Sequence, residues 1–220
     1  IYGCLVGSEM CIRDRLMSIV TLNNRALRSA TAVGTTTGLG AMVFISKQTA
    51  SSSSTISFTS GIDSSYKEYL FTFKNIHPSV DEPKFTFQVD TGTNTNYNQP
   101  ITSTQFQDYH TESGSLSALN YASGDDQANG TAFQSLIQNV EADDDNCASG
   151  FLHLFNPSSS VFVKHFMGKF YTQQSSGGQV YANGMYPAGY INTTTPITRV
   201  QFKMSSGNID AGDICLYGIN

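Results

Sequence analysis

Lys67-Glu-Tyr-Leu-Phe-Thr-Phe-Lys74 is the stretch that decides the fold. On an extended chain Tyr69, Phe71 and Phe73 fall on one side, and Glu68, Leu70 and Thr72 on the other. A side-chain period of two belongs to a β-strand, and here it gathers the rings onto one buried face. Lys84–Asp90 repeats the pattern with Phe85, Phe87 and Val89. Working outward, Thr55–Thr59, Ser103–Tyr109, Ser115–Tyr121, Gly150–Asn156, Thr198–Met204 and Asp213–Ile219 read as further strands bounded by Gly, Asn, Asp, Ser and Pro. Val161–Thr172 reads as a long strand, with Val161, Val163, His165 and Met167 opposing Phe162, Lys164 and Phe166. Gln179–Tyr181 and Ala188–Ile191 read as flanking a bend. In Thr131–Val140, Phe133, Leu136, Ile137 and Val140 also fit helical spacing, and the run is too short for pattern to decide. Many short strands and few helix signals predict an all-β, antiparallel β-sandwich over 55–220, jelly-roll-like, with two sheets packed face to face.

Composition narrows the function classes. The chain has 220 residues, enough to bury a core without staples. Only 13% are charged, about half the ~25% typical of soluble domains. Abundant Phe and Tyr exclude a disordered chain. A net charge of −5 and the lack of any Lys/Arg block argue against a nucleic-acid binder. No apolar run is long enough for a membrane-spanning helix, so membrane insertion is not expected.

The N-terminal region stands apart. Leu5–Arg15, LVGSEMCIRDR, resembles one reading frame of a transposase-type sequencing adapter. Residues 1–16 are therefore expected to be non-native read-through, with Met17 as the natural start. A signal peptide does not fit, because Glu9 interrupts the apolar run and the charges come last. Residues 17–54 read as a Gly/Ser/Thr-rich arm, with Asn23-Asn24 capping a short helical turn and Ala41–Ile45 a strand-like apolar run. From Met17 to Ser60 there is no acidic residue, which suits an arm that docks on an acidic partner or threads into an oligomer. Its glycine cluster, Gly34–Gly40, lacks the Lys-Ser/Thr of a phosphate loop. With Cys4 and Cys11 set aside, Cys147 and Cys215 make neither a disulfide framework nor a zinc-ligand spacing.

Chemistry-bearing patterns are few. There is no Gly-x-Ser-x-Gly elbow, and His77, His110, His153 and His165 read as packed or solvated. Asp108 and Glu112 are a candidate carboxylate pair for sugar hydrolysis, at a spacing without specificity. Asp125-Asp126 and Asp143-Asp144-Asp145 offer oxygens to calcium, yet lack the alternating acids and closing Glu of a calcium loop. Tyr97, Tyr109, Tyr121, Tyr181, Tyr186 and Tyr190 lie in or near polar loops, where a ring beside amides suits the C–H faces and hydroxyls of a sugar. They equally suit strand-end anchors. Asn129-Gly-Thr131 and Asn192-Thr-Thr194 match the glycosylation triplet. No catalytic, cofactor-binding or metal residue is assigned from the sequence.

Lys47–Pro78, Gly150–His165 and Ile197–Ile219 together resemble virion structural proteins of tailed bacteriophages, marine phages in particular, of the tail-fibre or receptor-binding kind. The resemblance is most specific in the closing FKMSSGNIDAG (Phe202–Gly212) followed by LYGI (Leu216–Ile219). It implies a β-sandwich in a virion-located, oligomeric protein and leaves open a fibre tip, a baseplate part or a decoration protein; the favoured reading is a homo-oligomer that contacts other virion proteins and attaches to a host-surface glycan or protein. It implies no cofactor and no catalytic residues. A capsid decoration or baseplate protein is the alternative, and a polysaccharide depolymerase a more distant one.

Overall fold

The computed structural model describes residues 42–220, which form twelve strands and no helix. Eight make one sheet, in the order β1 (Met42–Ser53), β12 (Ile209–Ile219), β3 (Glu68–Pro78), β8 (Ala148–Phe155), β9 (Lys164–Ser176), β10 (Gln179–Ile191), β5 (Ile101–Thr111) and β6 (Ser117–Tyr121). Four make the second, in the order β2 (Ile56–Phe58), β11 (Ile197–Met204), β4 (Phe85–Thr91) and β7 (Gln134–Ile137). Every pairing of these strands is antiparallel, and the two sheets form a β-sandwich. The pairing is nested: β3 with β12, β4 with β11, β5 with β10, β8 with β9. A long hairpin wound back on itself in this way is the winding of a jelly roll. The innermost pair, β8–β9, joins the large sheet between β3 and β10 and so widens it.

Alternation builds the core. Tyr69, Phe71 and Phe73 of β3 point inward, as do Leu152 and Leu154 of β8, Phe166 and Phe170 of β9, and Ile214 and Leu216 of β12. From the small sheet Phe58, Phe85, Phe87 and Phe202 meet them. Phe202 lies at the centre, with ring centroids of Phe71 at 5.2 Å, Phe73 at 5.0 Å and Phe85 at 5.9 Å. Such edge-on and offset pairs add about 0.5–1.5 kcal/mol beyond the area they bury.

Three features depart from simple alternation. At Asn75, φ is 53° and the β3–β8 register slips between Phe73 and Ile76. This bulge turns Ile76 back into the core, although it has the opposite parity to Phe73. In β4 the polar side chains are buried too, because loops cover the outer face of the small sheet. Gln88 Nε2 donates to the carbonyls of Gln99 and Ala132, both at 3.0 Å, and the Asp90 carboxylate accepts from the amides of Thr91 at 2.8 Å and Tyr97 at 2.9 Å. The buried polar side chains of β4 thus keep partners. Lys164 of β9 is fully buried, its ammonium donating to the Thr193 carbonyl at 3.0 Å. Burial lowers its pKa from the ordinary lysine value.

Several expected boundaries move. Met42–Ser53, the end of the segment read as an arm (17–54), is instead an edge strand hydrogen-bonded along β12, so the sandwich begins before residue 55. The read-through segment, the capped turn at Asn23-Asn24, the rest of the arm, Cys4 and Cys11 lie outside the described residues. Thr131–Val140 contributes a strand, β7, because the gap beside β4 needs backbone partners that a helix cannot supply. Val161 and Phe162 are not strand: the Ser159 hydroxyl accepts from both their amides and holds a turn, leaving the two side chains exposed. The bend expected between Gln179 and Ile191 is one continuous strand, and Pro187 interrupts only its ladder to β9.

Candidate functional site

The ends of β5, β9 and β10 carry the densest set of polar and aromatic side chains with functional potential. Two groups lie there, on opposite faces of the large sheet.

The outer group rests on a glycine. Tyr171 of β9, Gly184 of β10 and Asp108 of β5 are register partners in one row. Gly184 has no side chain, so Tyr171 and Asp108 lean across it and meet; a Cβ there would overlap the Asp108 carboxylate and the Tyr171 ring. Tyr171 Oη donates to Asp108 Oδ2 at 3.1 Å and lies 2.6 Å from Tyr186 Oη, which is 3.4 Å from the same carboxylate oxygen. Lys169 Nζ sits over both rings, 5.1 and 5.4 Å from their centres, within cation–π reach. The Tyr186 hydroxyl first, then burial and Asp108, push the Tyr171 phenol well above its usual pKa. Phe106 and Tyr121 pack edge-on at 5.5 Å beside this group, and Tyr121 Oη donates to Asp126 at 2.6 Å.

The inner group lines a recess of about 270 Å³, walled by the ends of β5, β9 and β10 and by the segment just after β7. Tyr109 and Tyr181 stand at 79° to one another with centroids 5.8 Å apart. Gln107, Gln138, Asn139 and Gln174 supply amides around them. Gln107 Nε2 donates to Asn183 Oδ1 at 2.9 Å, and Asn183 Nδ2 donates to the Gln138 carbonyl at 3.4 Å, tying floor to wall. Behind this wall the buried Glu141 accepts from the Ser175 amide at 3.2 Å. Burial, with the charges of Glu82, Asp81 and Asp143 nearby, raises its pKa.

The sequence candidates separate accordingly. Tyr109 and Tyr181 share the recess, Tyr121 and Tyr186 lie in the outer group, and Tyr190 sits farther along that face, 6.3 Å from His165. Tyr97 is buried, at 6% exposure, and is an anchor. Asp108 and Glu112 lie four residues apart on and just beyond β5, so their Cα atoms are about 14 Å apart at ~3.4 Å per residue. Asp108 moreover turns to the tyrosines, and the two acids form no pair across a common groove. Asp125 is spent on Lys84, 2.7 Å away, and Asp126 on Tyr121. Asp143–Asp145 form an exposed turn whose first carbonyl lies 3.2 Å from His77 Nε2. Among the described residues no group of three or more His, Cys, Asp or Glu is placed to hold a metal ion. His153 bonds Glu68 on the outer face, and the amides of Asn129 and Asn192 bond each other at 2.9 Å. Cys147 and Cys215 are free thiols.

Sequence reading missed Gln107, Gln138, Asn139 and Gln174. They come from three separate segments, and no short-range spacing connects them. Compared with family models, with curated proteins and with solved structures, the chain matches none.

Proposed function

We propose that this chain is a virion structural protein of the tail-fibre or receptor-binding type, whose sandwich presents the β5–β9–β10 end to a host-surface glycan. One observation carries the reading. Four tyrosines, four recess amides and Asp108 concentrate at the end of the large sheet diagonally opposite Met42. Aromatic rings take the C–H faces of a sugar, and amides and hydroxyls take its hydroxyl groups. Weak single sites of this kind become effective when a homo-oligomer on a particle presents several at once. The sparsely charged surface limits the side-chain entropy lost on contact.

A second reading, a decoration or baseplate protein without a ligand, is favoured by apolar exposure on the outer face of the large sheet. Phe44 is 56% exposed and Met167 51%, and both suit coverage by a neighbouring virion protein. The test is an array of surface glycans probed with the full-length chain, with its mass in solution measured in parallel. The attachment reading expects selective binding by an oligomer. A silent array with an intact fold overturns it and leaves the decoration reading.

A further inference from the structure

We infer, building on the attachment reading, that the Tyr109–Tyr181 recess seats a single uncharged sugar ring. The recess and the outer group differ in what their polar atoms have left to give. On the outer face Tyr171, Tyr186 and Asp108 Oδ2 bond one another, and Asp108 Oδ1 alone in that trio is left without a partner. In the recess the side-chain amides of Gln138, Asn139 and Gln174 and the hydroxyls of Tyr109 and Tyr181 make no hydrogen bond to any other described residue. Each amide offers donors and an acceptor side by side. A sugar hydroxyl is also both donor and acceptor, so a ring bearing several of them matches this set. A purely apolar ligand would cover the amides and leave them unpaired, at a cost in affinity.

Charge selects further. No Asp, Glu, Lys, Arg or His lines the recess, and Glu141, in the segment after β7, sits in a locally negative neighbourhood of Asp81, Glu82 and Asp143. An acidic sugar would lose hydration there without gaining a cation. The recess has room for one ring: 270 Å³ equals about nine water volumes at ~30 Å³ each, and any further sugars of a chain would lie outside it. The floor is fixed before binding, because the Gln107–Asn183–Gln138 chain of hydrogen bonds connects β5 and β10 to the segment after β7.

The test uses the full-length chain on immobilised glycans ending in a neutral hexose, a neutral N-acetylhexosamine, a sialic acid or a uronic acid, followed by titration calorimetry with the tightest neutral binder. Selective binding of neutral ends is expected. Gln174→Ala and Gln138→Ala should each weaken it about tenfold, the loss of one or two hydrogen bonds, with melting temperature unchanged. Tyr109→Ala should abolish it. Binding confined to acidic ends overturns the inference. So does binding that survives both amide variants but is lost in Tyr171→Phe, which moves the seat to the outer face and leaves the attachment reading standing. A silent array takes down both.

Discussion

Two parts of the same inner face of the large sheet have opposite character. At the centre, Phe71, Phe73, Leu152 and Phe170 face Phe202 and Phe85 of the small sheet, and nothing polar intrudes. At the end of β5, β9 and β10 the facing layer is only the segment after β7, and the inward positions are Gln107, Tyr109, Gln174 and Tyr181. The same alternation runs through both. What differs is whether a second layer closes over it. Where it does, burial of apolar area stabilises the fold; where it does not, amides and phenols can remain solvated and available to a ligand.

The sharpest way to break this comparison is at the centre. Phe202→Ala should cost about 3–5 kcal/mol in urea denaturation, because several rings lose a common partner at once. A cost under about 1 kcal/mol would mean the two sheets are not packed as described. Gly184→Ala comes next, at about 1–3 kcal/mol, since the new methyl must displace Tyr171 and Asp108; the Tyr171 environment, followed by tyrosine fluorescence or NMR, should change with it.

Lys164→Met tests the one buried ammonium within the covered layer. Its single described partner is a carbonyl, so removing the charge should leave stability unchanged or raise it by about 1 kcal/mol. Glu141→Gln probes the layer behind the recess. The folded-state pKa of Glu141 is raised, so its favourable contribution is complete below the unfolded value near ~4.3 and is lost as pH rises through the folded value. The variant should therefore match the wild type below about pH 4 and exceed it at neutral pH, in melts recorded across that range. The smallest effect is expected at the recess: Gln174→Ala should change stability by less than about 0.5 kcal/mol, since that side chain bonds no other described residue. A larger loss would make the amide structural and remove it from the proposed binding surface.

Much of the sandwich was legible in particular residues. Phe71, Phe87, Phe202 and Leu216, read as inward from their alternation, are all buried. Tyr109 and Tyr181 were visible as ring candidates because they flank loops. Legibility ended where a local rule met a distant partner. Within Thr131–Val140, Gln134–Ile137 became a strand only because β4 had an open edge. Met42–Ser53 joined the sheet because β12 offers it a ladder. Val161 and Phe162, apolar by type, were drawn out of their strand by the Ser159 hydroxyl.

By itself the amino-acid order determined that the chain would build layered, extended structure with an aromatic interior. That follows from the two-residue repeat of the pleated backbone, which each segment expresses without reference to any other. The tertiary structure alone decided the nested order of the strands, the bulge that re-aims Ile76, and the meeting of Gln107, Gln138, Asn139 and Gln174 around two rings. Those depend on which faces cover one another, and that is settled by burial between segments far apart along the chain.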